Sequence, residues 1–458
     1  MVRVGESAQR VLMLKGLRTA IEASQPEALL RDRVKLIGGR MLSITETKIQ
    51  LNLKRYDRII IVGAGKAAGG MAVALESVLG PNVEFEGTVI VPEGIAKNYK
   101  TRKVIMREAT HPRPSKAGIR ATKQVLDLLR SSTKKSLVVC LFSGGGSSLM
   151  TLPANGILLH EKRYVIDLLL SSGAIIEEVN CVRKHLSRVK GGLLADYTNG
   201  ARILNLLISD VVGNPLDSIA SGPTVADSST FRQAIHILKK YNVEQKVPRS
   251  IITRFEKGVS GSVPETPKKG NAIFNRVQSV LIGDNATACR AAALELSKEI
   301  KPVYYLGSEW QGEAREVGRN FASMIVSAAK SNFGQPFTSA CAFVWGGETT
   351  VTVSGNGSGG RNQEEALSAL DRIRNQRHLC VGFIGTDGKD GNSDCAGAIV
   401  DYSSFRRALK KKVQPSEYLR SNDSFNFFRK IGASLLQTGP TGTNVADIGI
   451  AILDWPAN

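Results

Sequence analysis

The sequence predicts an α/β protein of two lobes, each with a mainly parallel, doubly wound sheet flanked by helices. Three observations carry this prediction. Short apolar runs alternate with helix-length amphipathic stretches along most of the 458 residues, as in strand–helix–strand crossovers. Many of those runs end directly in Gly, Ser, Asp or Asn, the residues found where a parallel sheet hands the chain to a helix. A less apolar stretch, 258–269 (GVSGSVPETPKK), interrupts the alternation, which then restarts. The division that follows is 1–257 for an N-terminal α/β domain, 258–278 for a linker and 279–458 for a C-terminal α/β region.

The elements can be justified in order. Apolar residues at helical spacing over 8–23 and 26–35 predict one or two opening helices. A strand at 58–62 turns through the glycines of 63–70 into a helix reaching about residue 79, and strands follow at 87–91 and 104–107. The spacing predicts a helix over 116–130, with Ser115 as its N-cap. Six apolar residues at 137–142 read as a strand buried on both faces. Helices are expected at 160–171 and 182–197, and a strand at 202–209 ends in Ser209-Asp210. Beyond the linker come a strand at 279–282, a helix at 286–299, a strand at 302–306, a helix at 313–330 and a strand at 341–345. A hairpin strand at 349–353, a helix from the 357–362 glycine segment to 374, a strand at 379–384 and a helix at 423–431 complete the reading.

Composition narrows the function classes. A hydrophobic fraction of 42% with 22% charged residues is that of a soluble globular protein, and no apolar run reaches the ~18 residues of a membrane span. Six scattered cysteines without a C-x-x-C pair read as reduced core residues of an intracellular protein and argue against zinc. The net charge of +20 comes from dispersed basic residues, with no recognition helix or RNA-binding motif, so it suits attraction of anionic substrates better than nucleic acid. Arg3, Arg10, Lys15 and Arg18 against Glu6 make the opening compatible with a mitochondrial transit segment or simply a first helix, so cytoplasm is expected, with the mitochondrion as alternative.

The junctions carry the chemistry. Ser143, Gly144, Gly145, Gly146, Ser147 and Ser148 follow a buried strand and offer backbone N–H groups and hydroxyls to an anion, although alone such a loop reads first as a tight turn. Gly63-Ala64-Gly65-Lys66 suggests a dinucleotide loop, yet the ribose-binding acid is poorly placed: Glu84 and Glu86 precede the second strand and Glu93 follows Pro92. Lys66 at a helix start opposes the helix dipole unless an anion sits beside it. Arg361, behind Gly355, Gly357, Gly359 and Gly360, suits charge stabilisation on a transferring phosphoryl group. Asp387, Asp390 and Asp394 follow a strand; Asp387, directly at its end, is the preferred functional carboxylate, for Mg²⁺ or for a substrate hydroxyl, and an Asx turn accounts for the other two. Asn180, Arg183, Lys184 and Ser187 fall near one helical face, a pattern that usually marks a solvated side, yet His185 and Lys190 add anion-binding potential. None of the histidines shows metal-ligand spacing.

In order along nearly the whole chain, the runs 62–67 (VGAGKA), 111–114 (HPRP), 143–147 (SGGGS), 182–187 (VRKHLS) with 190–192 (KGG), and 208–213 (ISDVVG) with 220–224 (ASGPT) resemble the glycerate kinases that carry a MOFRL domain. So do 346–349 (GGET), 359–364 (GGRNQE), 385–388 (GTDG) and 438–444 (TGPTGTN). The resemblance implies a MOFRL-associated N-terminal domain, a MOFRL domain at about 338–452, and an active-site cleft between the lobes. It also implies phosphorylation of D-glycerate at its 2-hydroxyl with ATP and Mg²⁺. It carries Lys66 and Arg361 over to catalysis and maps the serine–glycine loop with Ser143, Gly144, Gly145, Gly146 and Ser147; the reading of the residues themselves adds Asp387 to catalysis, and Asn180, Lys184, Lys190 and Asp210 to substrate or phosphate. Asp210 is a second metal candidate, although Asn214 stands where an acid is expected. The expected partners are these small molecules, with no nucleic acid and no membrane, and a homo-oligomer is left open. Two rivals remain: a nicotinamide-dependent hydroxypyruvate reductase and, more distantly, a basic nucleic-acid-binding α/β protein.

Overall fold

The computed structural model describes residues 7–329 and 339–454. Arg3, Glu6 and Lys330, on which parts of the readings above rest, lie outside the described residues. The chain forms two compact units: one of Leu29–Ser209 and Asn214–Ile282, the other of Met1–Ala28, Asp210–Gly213 and Gly283–Asn458. They are called here the N-terminal and C-terminal units.

The N-terminal unit is built on a six-stranded sheet: β1 (Arg58–Ala64), β2 (Glu86–Pro92), β3 (Val104–Ala109), β4 (Ser136–Phe142), β5 (Arg202–Ile208) and β6 (Val277–Gly283). Its spatial order is β3-β2-β1-β4-β5-β6, and the β1–β2, β1–β4, β2–β3 and β4–β5 pairs are parallel. β1 and β4 are buried along almost their whole length because both faces meet apolar cover: Ile60, Val62, Val138, Cys140 and Phe142 share a core with Val125 and Leu129 of the helix Lys116–Arg130. Ser115 caps that helix, its hydroxyl accepting from the Gly118 N–H at 3.3 Å. A second core joins Val165, Leu169, Val182, Phe231, Leu238 and Phe255. Two of its helices, Phe231–Lys240 and Arg249–Val259, were not read from the sequence. A small meander of Val34–Ile37, Met41–Ile44 and Gln50–Asn52 was missed as well.

The C-terminal unit carries β7 (Val303–Tyr305), β8 (Cys341–Gly347), β9 (Leu379–Gly385), β10 (Gly397–Asp401), β11 (Leu435–Leu436) and β12 (Asp447–Leu453) in the order β7-β8-β12-β9-β10-β11. Only β7–β8 pairs in parallel; β8–β12, β9–β12, β9–β10 and β10–β11 are antiparallel. The α/β class holds, but this second sheet is mixed rather than mainly parallel. The reason is connectivity: β9 returns as β10 through a loop with no crossover helix, which a parallel pair would need. Residues 349–353 form no strand, only an isolated bridge from Thr350 to Glu313. The expected helix over 182–197 is instead the helix Ile176–His185 followed by a 3₁₀ turn, Leu193–Thr198.

Unit membership also departs from the linear division. The helix Ala8–Ala23 belongs to the C-terminal unit, where buried Arg10 holds Asp401 through Nε at 2.5 Å and Nη2 at 3.0 Å. Although burial disfavours its charge, the Arg10 hydrogen bonds hold Asp401 down at about 2. Residues 258–278, expected as a linker, pack within the N-terminal unit: Glu265 accepts from the buried His185, and Thr266 Oγ1 donates to Asp227 at 2.8 Å.

Candidate active site

In the N-terminal unit the strand order reverses between β1 and β4, the point at which open α/β sheets leave a crevice at their carboxyl ends. The two glycine-rich loops emerge there side by side. The Lys66 N–H donates to the Gly144 carbonyl at 2.8 Å, and the Ala67 N–H donates to Ser143 Oγ at 3.0 Å. Their contact explains the residue types. A Cβ on Gly65 would stand 2.1 Å from Ser143 Oγ. Gly145, with φ +81°, takes the left-handed conformation, and a Cβ on it would meet the His111 ring at 2.9 Å. The HPRP run therefore lies against the serine–glycine loop, a role for His111 that spacing alone did not reveal.

A polar relay continues from this loop. Ser147 Oγ and Ser221 Oγ are 2.7 Å apart, and Asn180 Oδ1 accepts from Ser221 Oγ at 3.4 Å and from Arg183 Nη1 at 2.6 Å. Lys190 is buried and donates to the carbonyls of Ser147 at 2.6 Å and Met150 at 3.0 Å. It thus ties down the carbonyl end of the short helix Gly146–Leu149. Burial, and then the nearby charges of Lys162 and Arg183, push its ammonium well below the ordinary lysine range. Lys184 is also buried, between Asp217 Oδ2 at 2.9 Å and Asp227 Oδ1 at 3.1 Å, so its charge is balanced within the unit.

His185 beside it is buried, with Nδ1 2.8 Å from the Cys181 carbonyl and Nε2 2.7 Å from Glu265 Oε1. Burial works against its charged form, but hydrogen bonds to Cys181 and Glu265 raise it to about 9. A folded-state value above the ordinary 6.5 means that this stabilisation is fully present below pH 6.5 and lost as pH rises through 9. His185 should therefore account for a loss of roughly 3 kcal/mol between those limits, read in chemical denaturation as the difference in pH slope between wild type and a variant without its carboxylate partner. Glu265→Gln should flatten that slope; an unchanged slope would show that His185 is not its source.

The C-terminal unit gathers its polar groups at one sheet edge. Because β12 runs antiparallel to both neighbours, its first residue, Asp447, pairs with Gly347 at the end of β8 and Gly385 at the end of β9. Arg361, first residue of the helix Arg361–Ile373, reaches this edge: Nε and Nη2 grip Asp447, the latter at 3.1 Å, and Nη1 donates to Glu348 at 2.9 Å. Such a planar, two-pronged pair fixes the guanidinium in place. Burial disfavours the Arg361 charge, but Asp447 and Glu348 hold it above its ordinary value; burial raises Glu348, with Asp447 and Asp210 adding to the rise.

Buried Asp390 accepts from the N–H groups of Asn362 at 3.1 Å and Gln363 at 2.9 Å, a helix N-terminal role that the Asx-turn reading did not foresee. Burial pushes it up to about 7. Asp387 is half-buried; its Oδ1 accepts from the Lys389 N–H at 3.1 Å, and its carbonyl accepts from the Thr441 N–H at 3.3 Å. Asp210, also half-buried, accepts from Asn444 Nδ2 at 3.0 Å. Among the described residues no three His, Cys, Asp or Glu side chains are grouped to hold a metal ion by themselves. The chemistry of Asp210 and Asp387 fits Mg²⁺, which needs only one or two carboxylates when phosphates and water supply its other ligands.

Residues 12–256 match the family described as "Domain of unknown function (DUF4147)", and residues 341–447 match the "MOFRL family". The chain is 40% identical over 448 residues to a protein of Pyrococcus horikoshii named "Glycerate 2-kinase", covering 97% of each. It is 38% identical over 393 residues to one of Agrobacterium vitis named provisionally as a hydroxypyruvate reductase, covering 85% of this chain and 86% of that one. The crystal structure of a Thermotoga maritima protein titled glycerate kinase superposes with a TM-score of 0.82 at 36% identity, covering 97% of this chain and 99% of that one.

Proposed function

We propose that the chain, which belongs to the MOFRL-domain class of glycerate kinases, transfers the γ-phosphoryl group of ATP to the 2-hydroxyl of D-glycerate, giving 2-phosphoglycerate and ADP. The observation that carries this reading is the meeting of the Lys66 and Ser143–Ser147 loops at the strand-order reversal of a parallel sheet. Backbone N–H groups and a cation beside a helix start suit an anionic phosphate group.

In this reading the 2-hydroxyl oxygen attacks the γ-phosphorus, the bond to the β–γ bridging oxygen breaks, and the hydroxyl proton leaves. Lys66 and Arg361 offset phosphate charge as it shifts toward the leaving oxygen. Gly144, Gly145, Gly146 and the flanking serines hold an anionic oxygen of nucleotide or acceptor. Asn180 and Lys190 keep that loop in shape through Ser221 and the Ser147 carbonyl. Lys184 sets the position of the same helix through its two aspartates. Asp387 orients the hydroxyl or receives its proton. Asp210 and Asp387 would hold Mg²⁺, which when bound neutralises phosphate charge. No helix among the described residues is long and apolar enough to cross a membrane. The six buried, unpaired thiols suit a reducing compartment, which we take to be the cytoplasm.

The Agrobacterium name favours hydroxypyruvate reduction as a second reading. Against it, Glu84 and Glu86 stand before or at the first residue of β2, engaged with Lys103 and Arg58, at the end opposite the cofactor crevice. Only exposed Glu93 remains for a ribose. Incubation with D-glycerate, ATP and Mg²⁺ followed by NMR should show 2-phosphoglycerate. Accumulation of 3-phosphoglycerate, or NADH oxidation by hydroxypyruvate with no phosphorylated product, would overturn the proposal.

A further inference from the structure

Three helices of the N-terminal unit, Leu159–Ser171, Ile176–His185 and Arg249–Val259, contribute to its second apolar core, and on them Lys162 lies within electrostatic reach of both Arg183 and Arg254. Lys162 is 3% exposed, and its Nζ has no hydrogen-bond partner among the described residues. Arg183 donates to the Asn180 amide oxygen, and Arg254 Nε donates to the His185 carbonyl at 2.8 Å; these partners are neutral. The carboxylates nearest in the network are engaged elsewhere, Asp217 and Asp227 by Lys184 and Glu265 by His185. Burial lowers Lys162 to about 7, and repulsion from Arg183 and Arg254 adds to it; burial lowers Arg183 to about 10.

Buried charges of one sign are costly unless an opposite charge joins them. A fold that keeps buried Lys162 beside half-buried Arg183 and Arg254, without spending a carboxylate on them, is built to receive an anion. The Arg183–Asn180–Ser221–Ser147 relay connects this group to the serine–glycine loop without a break. We infer that Lys162, Arg183 and Arg254 bind the carboxylate of the 2-hydroxy acid acceptor. Guanidinium forks and an ammonium match a small planar carboxylate, whereas the backbone N–H loop and Lys66 match phosphate oxygens. Binding energy from the carboxylate, a non-reacting part of the acceptor, then positions the hydroxyl that reacts. This inference rests on the kinase reading.

The test compares wild type with Lys162→Met and, as a second variant, Arg183→Gln, in the full chain. Without ligand, Lys162→Met should melt at a higher temperature than wild type, because an unpaired buried charge is removed. It should also raise KM for D-glycerate at least tenfold, leave KM for ATP within twofold, and abolish the rise in melting temperature that D-glycerate gives wild type. Arg183→Gln should raise KM for D-glycerate in the same selective way. A folded pair of variants with unchanged KM for D-glycerate, or with KM for ATP raised as much or more, would overturn the inference and leave the kinase reading standing. If wild type phosphorylates nothing, the kinase reading fails by itself. The D-glycerate melting shift then decides the site: its loss in Lys162→Met upholds anion binding, and its persistence refutes it.

Discussion

Lys66→Ala is expected to reduce kcat for D-glycerate phosphorylation by roughly 100- to 1,000-fold while leaving the protein folded. The two halves of this result have one cause. Lys66 stands just before the helix Ala68–Leu79, where the positive end of the helix dipole makes a cation unfavourable. Its backbone position is fixed independently of its side chain, by the Lys66 N–H to the Gly144 carbonyl. Removing the ammonium therefore does not unpick the loop pair. What disappears is the charge that makes the site welcoming to a polyphosphate. Lys66→Arg keeps the charge but spreads it over a planar fork that a compact ammonium site does not match, so an intermediate rate is expected. Steady-state kinetics together with thermal unfolding check both halves. Near-normal turnover in Lys66→Ala would remove this residue from the mechanism, and loss of the folded state would show that the loop pair depends on its side chain.

What could be read from the chain beforehand follows from how far apart interacting residues lie. β1, β4 and their loops are local signals: an apolar run, then glycines with a lysine or serines, each complete within about ten residues. The Ser115 cap and the helix after it are equally local, and the observed helix Lys116–Arg130 matches its predicted bounds. The C-terminal sheet is different, because its central strand β12 joins β8 and β9, which lie far earlier in the sequence. No short-range pattern announces that pairing, so β12 was not foreseen and neither was the carboxylate at its start. Arg361 was legible as a cation opening a helix, but its grip on Asp447, 86 positions away, was not.

The missed helix Phe231–Lys240 did carry a signal: Thr230 and Gln233 form a capping box, with the Gln233 N–H donating to Thr230 Oγ1 at 3.2 Å. The polar face of Asn180, Arg183, Lys184 and Ser187 reads from the sequence as a solvated side, to which His185 and Lys190 add anion-binding potential. Most of that capacity turns inward, onto Asp217, Asp227 and the Ser147 carbonyl. Burial, which sequence periodicity does not report for a charged residue, made the difference.

Arg361→Ala is expected to cost activity by about 1,000-fold or more and to cost stability as well. The guanidinium is the shared counter-charge of Asp447 and Glu348 at one sheet edge, with buried Asp390 and Glu365 close behind. Truncating it leaves acids crowded together without a cation, which raises the free energy of the folded C-terminal unit by about 2 kcal/mol once partial exposure is allowed for. The two losses can be separated by a second substitution. Glu348→Gln in the Arg361→Ala background removes one of the stranded charges and should recover much of the stability. It supplies nothing to a transferring phosphoryl group, so turnover should stay low. Arg361→Lys should retain part of the stability through a single ion pair, yet lose most of the rate, because one ammonium cannot hold both carboxylates and still present a fixed charge. Denaturant titrations and kcat measured on the same four proteins decide the matter. If turnover recovers in step with stability in the double variant, Arg361 serves the fold alone; if stability recovers and turnover does not, its charge acts on the reaction.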